Sequence, residues 1–273
     1  MRNTEHSWMN RIGILSAMLF ACAALAGCST NQEGNVQRLR AGYDALAARQ
    51  LDEAMALADE VLGNSPENTL PAEAHYLRGR VFEERAVRST GNVAGQLQSA
   101  RTEYVTALGL PHKPDLDGTA RAGVANVAFH QDDYATALSQ WAEAYPKLSK
   151  PEDKVLTLYQ LGRTSQRLGK WSEADQYLAS VQAAAPGTEL ATKAQRIQGT
   201  RGFIVQFATF STRKQADTAI ADLRTQGITA GHFIDSSNPA LDQVRSGQLS
   251  TYLEAKALKA RFAGVYVSAV ILP

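Results

Sequence analysis

Residues 203–212 read Phe-Ile-Val-Gln-Phe-Ala-Thr-Phe-Ser-Thr, and residues 242–251 read Asp-Gln-Val-Arg-Ser-Gly-Gln-Leu-Ser-Thr. A shift of 39 positions lays one over the other: Gln206 falls on Arg245, Phe210 on Leu249 and Thr212 on Thr251. The match continues through Gln215 and Glu254, Ala216 and Ala255, Ala221 and Ala260, and Leu223 and Phe262. Alternating apolar and polar residues mark a strand. The Thr-x-x-Gln/Glu that follows marks a helix start, because the threonine hydroxyl accepts from the third amide of the helix. One βα unit is therefore written twice. The predicted order is a strand over 203–210, a helix from Thr212 through Arg224, and strands over Thr229–Ile234 and Leu241–Ser246. A second helix over Thr251–Phe262 and a last strand over Val265–Ile271 complete it. Such a β-α-β-β-α-β module is small for elaborate chemistry and well suited to presenting a flat sheet to a ligand.

Upstream, from Asn35 to about Pro186, the chain is rich in Ala and Leu at helical spacing, and it repeats. The clearest unit carries Leu158, Leu161-Gly162, Gly169-Lys170-Trp171, Ala174, Leu178 and Pro186; another carries Asp133-Tyr134, Ala137, Trp141 and Ala144. Tyr134 to Trp171 and Ala137 to Ala174 both span 37 residues. A first unit has Gly42, Leu51, Ala54, Val61 and Pro66, and a fourth, with Gly79 and Ala100, is interrupted by an insertion over Arg88–Gln96. A small residue in each first helix (Gly42, Gly79, Ala125, Gly162) admits its partner closely, and the alanines Ala54, Ala100, Ala137 and Ala174 sit at the crossing. The bulky residue three places earlier (Leu51, Leu97, Tyr134, Trp171) plugs the gap between helices, and proline ends the second helix. This spacing resembles the tetratricopeptide repeat (TPR). The resemblance implies an all-α TPR-like helical solenoid whose first helices line a protein-binding face, placing Tyr43, Asn126, Tyr159, Arg163 and Gln166 in a partner groove. Thr188–Gln198 reads as a closing helix, and Gly199–Gly202 as a short joint.

At the front, Arg2 and Arg11 flank a polar start, and Ile12–Ala26 is an apolar run of about fifteen residues, short of the roughly 20 a spanning helix needs. It ends in Leu25-Ala26-Gly27-Cys28. A basic start, a short apolar core and small residues describe a secretory signal. The ending resembles the bacterial lipobox, which implies cleavage before Cys28 and lipidation of its thiol. Ser29 stands where an aspartate would resemble the inner-membrane retention signal, so the expected location is the outer membrane, facing the periplasm. The only other cysteine, Cys22, leaves with the signal, so the remaining 246 residues (273 − 27) form no internal disulfide.

The C-terminal module resembles the SPOR domain (sporulation-related repeat). The residues that carry the likeness are Val205-Gln-Phe-Ala-Thr-Phe-Ser211, Ala216 and Leu223 before Gly227, and in the second half Val244-Arg-Ser-Gly247 with Glu254-Ala255. Gln248-Leu249 replaces the usual Pro-Phe there. The resemblance implies a small α+β domain, a four-stranded antiparallel sheet with two helices on one face, whose other face binds peptidoglycan, especially glycan strands stripped of stem peptides. With Val205 and Phe207 turned to the helices, alternation puts Ile204, Gln206 and Ala208 on the ligand face. The 39-residue offset adds Arg245 with Gln243, and the last strand adds Tyr266 and Ser268. From Arg201 onward eight basic and five acidic residues give +3 (8 − 5), mildly favourable for an acidic polymer.

Nothing in the sequence assembles a catalytic site, and no cofactor is expected. No two of His6, His75, His112, His130 and His232 lie within five residues, so no helical metal pair exists. Asp115-Leu-Asp-Gly118 lacks the closing ligands of a calcium loop and reads as a polar loop before a helix. Gly169-Lys170 lacks the glycine of a phosphate loop, and a net charge of +1 gives no reason to expect nucleic acid as a partner. The expected organisation is a signal over 1–27, a lipidated tether over 28–34, repeats over 35–198, a joint over 199–202 and the SPOR module over 203–273. The expected role is a non-enzymatic adaptor between membrane, cell wall and a protein partner. The rival reading is a non-catalytic regulator or subunit of a wall hydrolase or envelope assembly complex, with a degenerate SPOR domain.

Overall fold

The computed structural model describes residues 32–64, 69–88, 91–234 and 238–273. The expected signal, Cys28 and the first part of the tether lie outside the described residues, as does Pro66. Among them no helix is long and apolar enough to cross a membrane. The chain divides into two compact units, residues 1–132 with 146–148, and residues 133–145 with 149–273.

The first unit is helical: α1 (residues 32–47), α2 (Leu51–Asn64), α3 (Leu70–Arg88), α4 (Val93–Gly109) and α5 (Pro114–His130). The small residues act as their spacing implies. A Cβ added to Gly42 would lie 2.6 Å from Leu77, and one added to Gly79 would lie 2.6 Å from the Tyr104 ring. Ala54 and Ala100 are fully buried at the crossings. Two expectations change here. The interruption between α3 and α4 is shorter than Arg88–Gln96, because Asn92 Oδ1 accepts from the Gly95 amide (3.2 Å) and starts α4 at Val93. Asp115–Gly118 is not a loop but the first turn of α5, with Pro114 at its start. There Asp117 accepts from Arg121 (2.6 Å) and Lys147 (2.9 Å), and these cations outweigh partial burial to hold its carboxyl below the usual range.

The second unit joins α6 (Tyr134–Ala144), α7 (Pro151–Arg167), α8 (Trp171–Ala184) and α9 (Glu189–Ile197) to the C-terminal module. Gly162 packs against Leu178, where an added Cβ would lie 2.8 Å away. Gly169, at φ +71°, turns the chain between α7 and α8. The module contains β1 (Ile204–Phe210), α10 (Arg213–Thr225), β2 (Ala230–Ile234), β3 (Asp242–Ser246), α11 (Tyr252–Arg261) and β4 (Val270–Leu272). Its antiparallel sheet has the order β2-β3-β1-β4. Thr212 caps α10, and Thr251 with Glu254 forms a reciprocal capping box on α11. Val205, Phe207 and Val244 are buried beneath the helices with Leu223, Ala255 and Phe262. A fully buried phenylalanine such as Phe207 contributes about 1.5–3 kcal/mol.

The joint at 199–202 is fixed in place. Gln166 is 2% exposed and donates through Nε2 to the Ile197 carbonyl (2.7 Å) and to Thr200 Oγ1 (3.0 Å). Asp175 accepts from the Gly199 amide (2.8 Å) and from Arg201 Nη2 (2.6 Å). Phe203 and Leu249 exchange backbone hydrogen bonds of 2.8 and 2.7 Å. Trp171 and Tyr134, expected to plug the gap between repeat helices, reach the module: Trp171 lies 5.4 Å from Phe203, and Tyr134 5.4 Å from Tyr252, ring centre to ring centre. The Arg167 guanidinium lies 3.8 Å from the Tyr252 ring centre and 5.4 Å from that of Phe203.

Candidate functional site

The sheet face away from α10 and α11 is built by pairing. Gln206 of β1 stands opposite Arg245 of β3, the two residues that the 39-residue offset equates. Beyond them two residues of β1, Phe207 and Ala208, oppose the single Val244: a β-bulge. After the bulge, Thr209 pairs with Gln243 and Phe210 with Asp242. Alternation is thereby reversed in the distal half of the strand. Ala208, expected on the open face, falls opposite the buried Val244, and Thr209 takes the open position. On β2, Gly231 faces Arg245 and Phe233 faces Gln243; on β4, Leu272 faces Ile204 and Val270 faces Gln206. The open face thus carries Ile204, Gln206 and Thr209, Gln243 and Arg245, Gly231 and Phe233, and Val270 and Leu272.

Arg245 organises the centre. Its Nε donates to Gln206 Oε1 (3.2 Å) and Gln243 Oε1 (3.1 Å), and its Nη2 to Gln243 Oε1 (2.6 Å). Its Cζ lies 3.4 Å from the centre of the Phe233 ring. Gln206 Nε2 donates to Thr209 Oγ1 at 3.4 Å. Among the described strand residues of this face Arg245 is the one that carries charge. A cation set among amides and flanked by aliphatic and aromatic surface suits a ligand with hydroxyl and amide groups, apolar sugar faces and a carboxylate.

The last strand departs from expectation. Val265–Ala269 turns instead of extending: the Tyr266 amide donates to the Phe262 carbonyl (2.8 Å), and that of Ala269 to the Tyr266 carbonyl (3.0 Å). Tyr266 therefore packs under the sheet, 5.4 Å from Phe207 and 6.3 Å from Phe262, where burial and the Asp222 carboxylate push its hydroxyl up. Ser268 is exposed in the turn, off the strands, and Val267 beside it is 87% exposed. Val270 and Leu272 occupy the face in their place.

The groove residues part company. In the first unit the Asn126 amide donates to Glu83, which also accepts from the Tyr104 hydroxyl at 2.5 Å. Burial pushes the Glu83 carboxyl up, against the Tyr104 hydrogen bond and the Arg80 charge. Tyr43 lines a cavity of about 270 Å³ with Leu39, Leu70, Glu73 and Lys113. In the second unit Arg163 lies over the Tyr159 ring at 5.7 Å. Gln166 is no groove residue: at the end of α7 its side chain turns inward to hold the joint. Three of the histidines partner carboxylates, among them His112, whose Nε2 lies 3.7 Å from Asp117. His75 pairs with Glu103 at 2.7 Å, and His232 bridges Asp242 (2.9 Å) and Asp217 (3.0 Å). Among the described residues no group of three or more such side chains could hold a metal ion.

Residues 199–273 match the family model of the SPOR domain. This segment is a SPOR domain. Its match begins at the joint, four residues before Phe203, and takes in every strand of the sheet. The helical region resembles TPR proteins of known structure. One chain of the APC/C hetero-tetramer Cut9-Hcn1 superposes with a TM-score of 0.50 at 11% identity, covering 61% of this chain and 30% of that one. The chain thus spans less than a third of that protein. YrrB, described as a TPR protein with an unusual peptide-binding site, gives a TM-score of 0.44 at 18% identity, covering 67% of this chain and 84% of its own. A thermophilic TPR protein of Thermus thermophilus, TTC0263, gives 0.40 at 14%, covering 59% and 97%. No curated protein matches the chain in sequence. No enzymatic family is indicated.

Proposed function

We propose that the protein is a non-catalytic cell-envelope adaptor: its SPOR domain binds peptidoglycan, its TPR-like helices bind a protein partner, and a lipid on Cys28 holds it to the outer membrane from the periplasmic side. The observation that carries the wall-binding part is the Arg245 cluster on the open sheet face, fixed by Gln206 and Gln243 and stacked on Phe233. Glycan strands without stem peptides fit it best. Loss of the peptide frees one lactyl carboxylate on each muramic acid, and charge-assisted hydrogen bonds to an arginine are the strong ones. Such strands accumulate at the division septum, which makes the septum the expected address. The N-terminal Leu25-Ala-Gly-Cys28 supports the anchor, since stable attachment needs more than one acyl chain and a lipoprotein cysteine carries several.

The test uses the mature full chain. It pellets with purified sacculi, more strongly after an amidase has removed the stems, and Gln206→Ala and Arg245→Ala weaken pelleting while leaving the melting temperature unchanged. A folded protein that stays in the supernatant with both preparations refutes wall binding. Replacing Cys28 with alanine shifts the protein from the membrane to the soluble fraction; unchanged fractionation refutes the anchor.

A further inference from the structure

Phe233 stands on the edge strand β2 with 41% of its surface exposed. What lies on it is the guanidinium of Arg245, with Cζ 3.4 Å from the ring centre, which is van der Waals contact over the face of the ring. At that distance one face of the cation is stripped of water and held by the negative π-cloud. Its edges are constrained too: Nε is shared between the side-chain oxygens of Gln206 and Gln243, and Nη2 is fixed by Gln243. Directly across from Arg245 on β2 is Gly231, and a Cβ built there would meet nothing within 4 Å. The surface beside the cation is therefore an open notch. Aromatic floor, amide collar and notch lie together on one face.

We propose that Phe233 is a positioning residue for the wall-binding site: it pins the Arg245 guanidinium flat on the sheet, so that a ligand carboxylate is met edge-on, from the notch over Gly231. The proposal rests on the wall-binding reading and adds a selectivity to it. Phe233 strengthens binding of glycans that carry free carboxylates and is indifferent to glycans that do not. An aromatic residue that merely stacked on a sugar ring would favour both alike, and one that merely stabilised the domain would shift the melting temperature.

The experiment measures binding of the mature full chain to soluble stem-free glycan strands, and to the same strands after their carboxylates are converted to methylamides. Phe233→Leu is expected to weaken binding about two- to five-fold on the free carboxylates, the range of an exposed cation–π contact. It should match the wild type on the amidated strands, and Phe233→Tyr should restore binding. Unchanged affinity for free carboxylates, or an equal loss on both ligands, overturns the proposal. If Phe233→Leu fails to fold, Phe233→Met replaces it with the same criteria. If the wild type binds neither ligand, the wall-binding reading falls, and the positioning is decided in the free protein by NMR. The ring current of Phe233 should move the Arg245 Nε–H and Cδ–H signals upfield in the wild type and not in Phe233→Leu; identical shifts overturn it.

Discussion

Arg167 offers the sharpest test of how the SPOR domain is held. Its guanidinium rests on Tyr252 at 3.8 Å, nearer than on Phe203 at 5.4 Å, and the residue is half-buried. Exposed cation–π contacts are worth about 0.5–1 kcal/mol and desolvated ones about 2, so the Arg167–Tyr252 pair should couple by about 1 kcal/mol, a roughly five-fold change in an equilibrium constant. Replacing Arg167 with alanine would also strip the aliphatic stem from the apolar surface beneath it, so the informative variant is Arg167→Met. Together with Tyr252→Leu and the double variant it forms a double-mutant cycle. Hydrogen exchange resolves the result along the chain, because Phe203 and Leu249 exchange backbone hydrogen bonds and report on the SPOR domain, while the Ala174 amide, bonded to the Lys170 carbonyl (2.9 Å), reports on α8. Arg167→Met should lower protection at Leu249 and Ala174 together. A coupling below about 0.3 kcal/mol, the usual scatter of independent sites, refutes the pairing. Loss at Leu249 with Ala174 untouched refutes the single unit.

Three further outcomes follow from geometry already described. Partial burial works to raise the Asp175 carboxyl, but the Gly199 amide and the Arg201 guanidinium outweigh it and hold the group below the usual carboxylate range. A depressed carboxyl contributes stability that is present above its unfolded value, about 3.9, and lost as pH falls through the folded one. Amide protection at 198–202 should therefore fall on acidification below that point, and Asp175→Asn should lower it at neutral pH and remove the acid step. Gly79→Ala drives a methyl to 2.6 Å from the Tyr104 ring and should destabilise the first unit by about 1–3 kcal/mol in urea titration, the usual cost of overpacking. Tyr266→Ala should lower the melting temperature of the SPOR domain, because the ring packs on Phe207 and Phe262, whereas Ser268→Ala should change neither stability nor pelleting.

The repeats were legible because small residues have few other reasons to recur. Gly42, Gly79 and Gly162 each lie where a side chain of a neighbouring helix leaves no room for a Cβ. The pairing of Gln206 with Arg245 was legible because an internal duplication places equivalent residues on the two central strands. The bulge at Phe207–Ala208 was not. It is a backbone irregularity with no compositional mark, and it decides whether Ala208 or Thr209 sees the ligand. Residues 265–269, Val-Tyr-Val-Ser-Ala, alternate and favour a strand, yet hydrogen bonds back to Phe262 and Tyr266 curl them into turns. Phe233 was overlooked because its value lies in the residue diagonally across from it, which only strand register reveals. Gln166 has the periodicity of a groove residue, but the last turn of α7 is where the chain comes back past it, and the joint claims its amide.

A family boundary at residue 199 is not where the molecule comes apart. Phe203 is 1% exposed, and Trp171 and Arg167 lie over it beside Tyr252. Excised at 199, the SPOR domain would carry a raw aromatic patch into water and invite self-association. Grafted onto a foreign helical repeat, it would need Tyr134, Arg167 and Trp171 to travel with it. The portable piece begins near Asp133, where the second compact unit begins, and any hybrid protein made from this chain should be spliced there.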